Sequence, residues 1–253
     1  MAGHSKWANI KHRKAAMDAK RGKLFTKLSR EITIAAREGG GNPENNPRLR
    51  IAIQNARAAN MPNDSIQRAI KRGTGELGGD TIEEVIYEGY APGGVALMIA
   101  VMTDNRNRTV SELRHLLSRH GGSMAEAGSV AWNFQRRGVL YVEKNGITEE
   151  QMLEYVLEAD AEDMVEESDF FIVYTEPGKL SQVQQFFEQQ QLGVKEAKVE
   201  FVPSTTLKVE DPAVARKVLK LLEALEDHDD VQNVYANFEV DDEILEELQA
   251  QSQ

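Results

Sequence analysis

Residues 73–80 read GTGELGGD, half of them glycine, and both the charge and the periodicity of the chain change across them. Upstream, residues 1–72 hold 16 Lys and Arg against 5 Asp and Glu. Downstream, residues 73–253 hold 14 against 36, so a head of +11 is joined to a body of −22 within a net charge of −11. A cationic head of this kind is a footprint for a polyanion, because each phosphate it neutralises releases condensed counterions. The acidic body is repelled by the same polyanion, so only one end of the chain is built to approach nucleic acid. GTGELGGD is therefore read as an interdomain linker. It also matches G-x-G-x-x-G, but a dinucleotide fingerprint follows a strand and opens a helix, and this one follows a helical pattern and leads to Val85, Tyr87 and Tyr90.

Working back from the linker, three helices and an arm are expected. A helix beginning near Asn63 or Asp64 turns Ile66, Ala69 and Ile70 inward and Arg68, Lys71 and Arg72 outward, and stops at Gly73. Before it, Asn46 and Pro47 supply an N-cap and a first-turn proline for a helix with Leu49, Ala52, Ile53 and Ala56 inward. The loop Gly39–Asn45 separates that helix from an earlier one starting at Lys23. There Leu24, Leu28, Ile32 and Ala35 form the packing stripe and Lys23, Lys27, Arg30 and Arg37 a cationic one. Residues 1–22 read as a flexible arm carrying Lys6, Lys11, His12, Arg13, Lys14, Lys20 and Arg21 around one aromatic, Trp7. An ordinary solvated helix mixes charges of both signs at i,i+4 spacing, and these stripes mostly do not.

Beyond the linker, strands alternate with helices. A strand at 83–90 turns at Pro92–Gly94 into a buried strand at 95–102, followed by the polar loop 103–108. Thr109 and Glu112 form a capping box for a helix with Leu113, Leu116 and Leu117 inward, and a strand around Val130, Trp132 and Phe134 completes the group. Residues 139–143, a helix from Thr148 with Gln151 as its box partner, 164–166, 169–174, a helix at 179–190 and 194–202 spell β-α-β-β-α-β, the ferredoxin-like order. Thr205–Val209, a helix from Asp211 and Pro212 to Glu226, and Val231–Phe238 make a further β-α-β too small to hold a core alone. It is expected to return and pair with residues 81–134. The fold class is α+β with three domains. These are a basic arm and three-helix domain (1–79), a split α/β domain with an antiparallel sheet (80–134 plus 204–240), and an inserted ferredoxin-like α/β domain (135–203). An acidic tail follows (241–253), in which Ile244, Leu245 and Leu248 suggest a short helix.

Several chemistries find no support. Zero cysteines remove disulfides, thiolate catalysis and Cys-based zinc sites. The longest apolar run, Val95–Met102, is far short of the roughly 20 residues of a spanning helix. None of the five histidines lies in an H-E-x-x-H pair, and His115 with Ser118 lacks a third group to orient the imidazole. The run Glu226–Asp230 lacks the spacing and glycine of a calcium loop and reads as an acidic helix end. Gly22-Lys23 and Gly178-Lys179 are each followed by Leu, so there is no phosphate-binding P-loop. No catalytic residue, metal or cofactor is expected. Within the acidic body, one amide-rich basic loop offers a second contact with RNA through Asn105, Arg106, Asn107 and Arg108, since Arg and Asn suit phosphates and base edges. The competing reading is a loop whose Asp and Asn side chains bond to its own backbone.

The opening MAGHSKWANIKHRK, the segments KRGKLFTKLSREI and MPNDSIQRAIKRGTG, the turn YEGYAPGGVA, TDNRNRT and EDHDDVQNVYANF together resemble the YebC/PmpR family, which includes mitochondrial translational activators of cytochrome oxidase. The resemblance spans nearly the whole chain. It implies a three-domain fold and a non-enzymatic regulator of gene expression. Members are commonly labelled DNA-binding transcriptional regulators, and some are described as ribosome-associated factors that relieve stalling at proline-rich stretches. With the family opening at Met1, no room is expected for a mitochondrial transit peptide, and a bacterial, cytoplasmic, monomeric protein is implied. The expected partner is rRNA and tRNA on the ribosome, or promoter DNA. The sequence offers neither an obvious helix-turn-helix nor a dimerisation heptad for the DNA role. A basic arm with one aromatic suits threading among RNA phosphates and stacking on an unpaired base. The remaining alternative is a structural or interaction protein with an incidental basic head.

Overall fold

A computed structural model describes residues 21–78, 81–241 and 243–244. In chain order its elements are α1 (Arg21–Gly39), α2 (Pro47–Ala58), α3 (Asn63–Gly73), β1 (Glu83–Ala91), β2 (Val95–Thr103), α4 (Arg106–Arg119), β3 (Ser123–Ala125), β4 (Phe134–Glu143) and α5 (Glu149–Glu158). There follow β5 (Asp163–Glu166), β6 (Phe170–Thr175), α6 (Leu180–Gln189), β7 (Val194–Pro203), β8 (Leu207–Lys208), α7 (Pro212–Glu226), β9 (Val231–Ala236) and β10 (Phe238–Glu239). The fold is α+β, and two compact units divide it: residues 21–78 with 136–200, and residues 81–135 with 201–241.

In the first unit, α1, α2 and α3 enclose Ile32, Ala36, Leu49, Ile53, Ile66 and Ile70. Asn46 organises the group. Its Oδ1 accepts the N–H of Leu49 as the cap of α2, and its Nδ2 donates to the carbonyls of Ala35 at 2.7 Å and Gly40 at 2.9 Å, tying the end of α1 to the start of α2. Leu24, expected inward, is 41% exposed, while Phe25 and Leu28 pack against the core. The reason is position along the helix. α1 meets α3 where Thr33 Oγ1 donates to the Ala69 carbonyl, and Leu24 lies about 13 Å further along the axis, past its cover.

The same unit holds a four-stranded sheet in the order β5-β6-β4-β7, with α5 and α6 over a core that includes Leu140, Val142, Phe171 and Val173. Thr148 and Gln151 form the capping box of α5. α2 has a second packed face that the stripe of Leu49, Ala52, Ile53 and Ala56 does not announce. Ile51 joins the sheet's core, Asn55 exchanges two hydrogen bonds with the backbone of Ala197 (2.6 and 2.9 Å), Gln54 donates to Glu188, and Arg50 donates to Ser181.

In the second unit the sheet order is β3-β1-β2-β9, with β1–β2 and β2–β9 antiparallel. One face packs on α4 and α7 through Leu97, Ile99, Leu113, Leu117, Leu221 and Leu225. Three expectations are corrected here. α4 starts at Arg106 and not at Thr109. Asn105 caps it by accepting the N–H of Arg108, and Thr109 is buried with its hydroxyl bonded to Asp230 at 2.8 Å, so there is no Thr109/Glu112 box and residues 106–108 are helical, not loop. No strand runs through Val130 and Trp132. The Glu88 carboxylate accepts the N–H groups of Gly128, Val130 and Ala131, which bends the chain into a 3-10 turn at Ala131–Asn133, and β3 takes the place beside β1. The last strand is interrupted at Asn237, whose side chain accepts the Ala96 N–H at 2.7 Å, leaving a two-residue β10 to pair with an equally short β8. Ile244 packs on this unit's core, and Leu245 and Leu248 lie outside the described residues.

Candidate nucleic-acid interface

The helical head concentrates its positive charge through one arrangement. Arg48 of α2 bonds Glu31 and Glu38 of α1, each at 2.8 Å, so a single arginine matches two of the head's few acids. Lys23 is exposed near the start of α1 with Lys27 and Arg30 half-buried behind it, and Arg68, Lys71 and Arg72 are exposed along α3. Arg68 is steered by its own first turn, donating to the Asp64 carbonyl and to Ser65 Oγ. α2 contributes little to this surface because its outer face is packed.

The arm residues Lys6, Trp7, Lys11, His12, Arg13, Lys14 and Lys20 lie outside the described residues. Arg21 opens α1. α2 and α3 are joined by only the four residues 59–62, a helix–turn–helix connection that the periodicity does not single out.

The basic stretch in the acidic body has a different local chemistry. The Asn105 side chain is spent on the helix cap, and Arg106 lies 3.7 Å from Glu83. Arg108 reaches the buried carboxylate of Asp230 at 2.7 Å and that of Asp104 at 3.0 Å; its hydrogen bond and charge pairing with Asp230 raise the guanidinium pKa further. Asn107 is exposed. Asp230 also accepts from Thr109 and lies against Thr103. His228 stands beside it. Its Nδ1 accepts the Asp230 N–H, so Nε2 carries the proton and donates to Glu112 at 2.9 Å.

Glu112, His228 and Asp230 thus bring ligand-type atoms within 4.8 Å of one another, the tightest such group among the described residues. Both ring nitrogens are committed to protein partners, and the Arg108 guanidinium supplies the positive charge that Asp230 requires, so the group is an internal ion network linking α4 to the start of β9. Its two halves, on α4 and just before β9, are more than a hundred residues apart. The acidic run Glu226–Asp230 was its only legible half.

The TACO1/YebC N-terminal domain profile matches residues 5–76, and the profile of the TACO1/YebC second and third domain matches residues 82–238. The chain belongs to the TACO1/YebC family. A protein of Halothermothrix orenii named "Probable transcriptional regulatory protein" is 56% identical over 250 residues, covering 98% of this chain and 99% of the relative. One of Thermosipho melanesiensis with the same name is 58% identical over 252 residues, covering 99% and 98%. The crystal structure of a conserved hypothetical protein of Aquifex aeolicus is similar with a TM-score of 0.86 and 51% identity, over 91% of this chain and 95% of that one. The family label is that of a regulator. No helix among the described residues is long and apolar enough to cross a membrane.

Proposed function

We propose that this chain is a non-enzymatic, nucleic-acid-binding regulator of gene expression that acts on the ribosome, binding rRNA and tRNA phosphates through its basic head and relieving stalling at proline-rich stretches. The observation that carries nucleic-acid binding is the cationic surface of α1 and α3, formed where Arg48 takes up Glu31 and Glu38. Lys23, Lys27, Arg30, Arg68, Lys71 and Arg72 supply its contacts, and the arm carrying Lys6, Trp7, Lys11, His12, Arg13, Lys14, Lys20 and Arg21 extends them. Arg108 is left out, because its guanidinium serves the Asp230 network; Asn105, Arg106 and Asn107 remain candidates for a second contact, Asn105 through its amide nitrogen, since only its oxygen serves the cap.

A second reading is a DNA-binding transcriptional regulator, in keeping with the relatives' names. The short α2–α3 connection favours it, with Gln67, Arg68, Lys71 and Arg72 on the outer side of the second helix. Against it stands the acidic body, which supplies no phosphate contacts beyond the head on a straight duplex.

Crosslinking the intact protein to nucleic acid in living cells, followed by sequencing of the bound strands, separates the two. The ribosomal reading expects rRNA and tRNA positions to dominate, crosslinked to residues 1–72. Recovery of promoter DNA in their place would overturn it.

A further inference from the structure

α5, EEQMLEYVLE, turns Met152 and Val156 into the core of its sheet and leaves an outer face of unusual make-up. Leu153 and Leu157 stand one turn apart on it, 48% and 70% exposed. At 100° per residue, Glu150, Glu154 and Glu158 line one side of this leucine ridge and Glu149 the other. The helix has no Lys or Arg. Three of the acidic side chains just beyond it are matched: Asp160 by Lys179, Glu162 by Arg137 and Glu166 by Lys144, each within 2.7 Å. Among the described residues, Glu150, Glu154 and Glu158 form no ion pair. Three acids near this helix are neutralised, whereas the helix itself carries an apolar ridge with an uncompensated acidic border.

We propose that the outer face of α5 is a docking surface for a basic amphipathic helix of a partner protein. Leu153 and Leu157 take the partner's apolar face, and the glutamates pair with its Lys and Arg side chains as they leave water. Charge complementarity selects this occupant. Phosphates of nucleic acid and anionic lipid headgroups are repelled by the border. A symmetric pair of this chain through α5 would set the same glutamates against one another. The surface lies on a different helix from the cationic stripes of α1 and α3.

The test uses the full chain and a labelled synthetic peptide of about 14 residues, with leucines at helical spacing and lysines elsewhere. Fluorescence anisotropy compares it with a peptide of identical composition permuted to break the spacing. The helical peptide is expected to bind at least about tenfold more tightly than the permuted one, and L153S/L157S and E150Q/E154Q/E158Q to lose about tenfold each, the second with a weaker salt dependence. Ile86→Ser, an exposed apolar change in the other unit, is expected to leave binding unchanged. Both leucines face solvent, so circular dichroism and melting should match the parent; Leu157→Glu alone is a second variant with the same expected direction. Equal binding of the two peptides, or retained affinity in L153S/L157S, would overturn the proposal. So would self-association of the chain that this double variant abolishes, since the occupant would then be a second copy.

Discussion

Gly73, at the end of α3, lies directly against the main-chain carbonyl of Thr33 in α1, and a side-chain carbon there would collide with that oxygen. The contact sets how closely the two cation-bearing helices cross. Backbone offers no rotamer with which to yield, so Gly73→Ala forces the helices apart. The expected cost is about 1–3 kcal/mol in denaturant unfolding, with a weaker salt-dependent affinity for RNA. Unchanged stability would mean that the crossing is looser than described.

Glu88 offers a test in pH. Burial pushes its carboxyl pKa up, but the N–H groups of Val130, Gly128 and Ala131 together outweigh this and hold it below 4.5. A folded-state pKa below the unfolded value means that the carboxylate's contribution is complete above the unfolded value, and is lost as pH falls through the lower folded one. Glu88→Gln keeps the shape and removes the charge. It is expected to cost roughly 1–2 kcal/mol at neutral pH, since bonds to a charged acceptor are about twice as strong as neutral ones. The difference from the parent should shrink as pH falls below the unfolded carboxyl's value and close beneath the lower folded one. Trp132, 77% exposed with its indole N–H bonded to Ser129 in the turn that Glu88 holds, reports the change by fluorescence once Trp7 is replaced by Phe. A deficit that persists undiminished in acid would show that the charge is not what holds the turn.

Where a short-range signal has a local mechanism, the sequence and the structure agree. Asn46 with Pro47, Thr148 with Gln151, and Asp211 with Pro212 all start helices where their side chains can bond to the next turn. The failures have a common cause, which is a partner distant in sequence. Thr109 looks like a cap until Asp230 draws its hydroxyl inward, leaving Asn105 to cap one turn earlier. Val130, Trp132 and Phe134 alternate like a strand until Glu88, more than forty residues earlier, gathers the adjacent N–H groups. The cationic stripes of α1 and α3 were legible because charge patterning needs no tertiary partner. The neutralising role of Arg48 and the second packed face of α2 were not. Ile51, an apolar residue off the main stripe, was the one sign of the latter.

The span 80–134 with 204–240 is proposed as one folding domain interrupted by 135–203. β9 lies beside β2, and α7 supplies Leu221, Leu222 and Leu225 to the core beneath them. A fragment of residues 81–134 alone therefore exposes one face of its central strand and is expected to show no cooperative unfolding in urea. A sharp transition would rule out the interrupted domain.

The phosphate contacts proposed for the head can be counted by their salt dependence. Replacing Arg68, Lys71 and Arg72 with Gln, or Lys23, Lys27 and Arg30, is expected to lower the slope of log K against log salt by up to about 2–3 units, at roughly 0.7–0.9 per lost contact. Lys144, Lys179 and Lys195 are bound to Glu166, Asp160 and Glu143, so their replacement by Gln should leave the slope unchanged. Equal losses from the head and control triples would show that the charge asymmetry does not define the binding face.

The basic head is proposed to work on the ribosome. The direct measurement is a purified translation system without transcription, programmed with a proline-rich message and supplied with intact protein, with protein lacking residues 2–20, or with the Arg68, Lys71 and Arg72 variant. Intact protein is expected to relieve the stall, deletion of the arm to abolish relief while the remaining domains stay folded, and the α3 variant to weaken relief in a salt-dependent way. No effect of the intact protein in that system, together with sequence-selective promoter binding at physiological salt, would contradict the account.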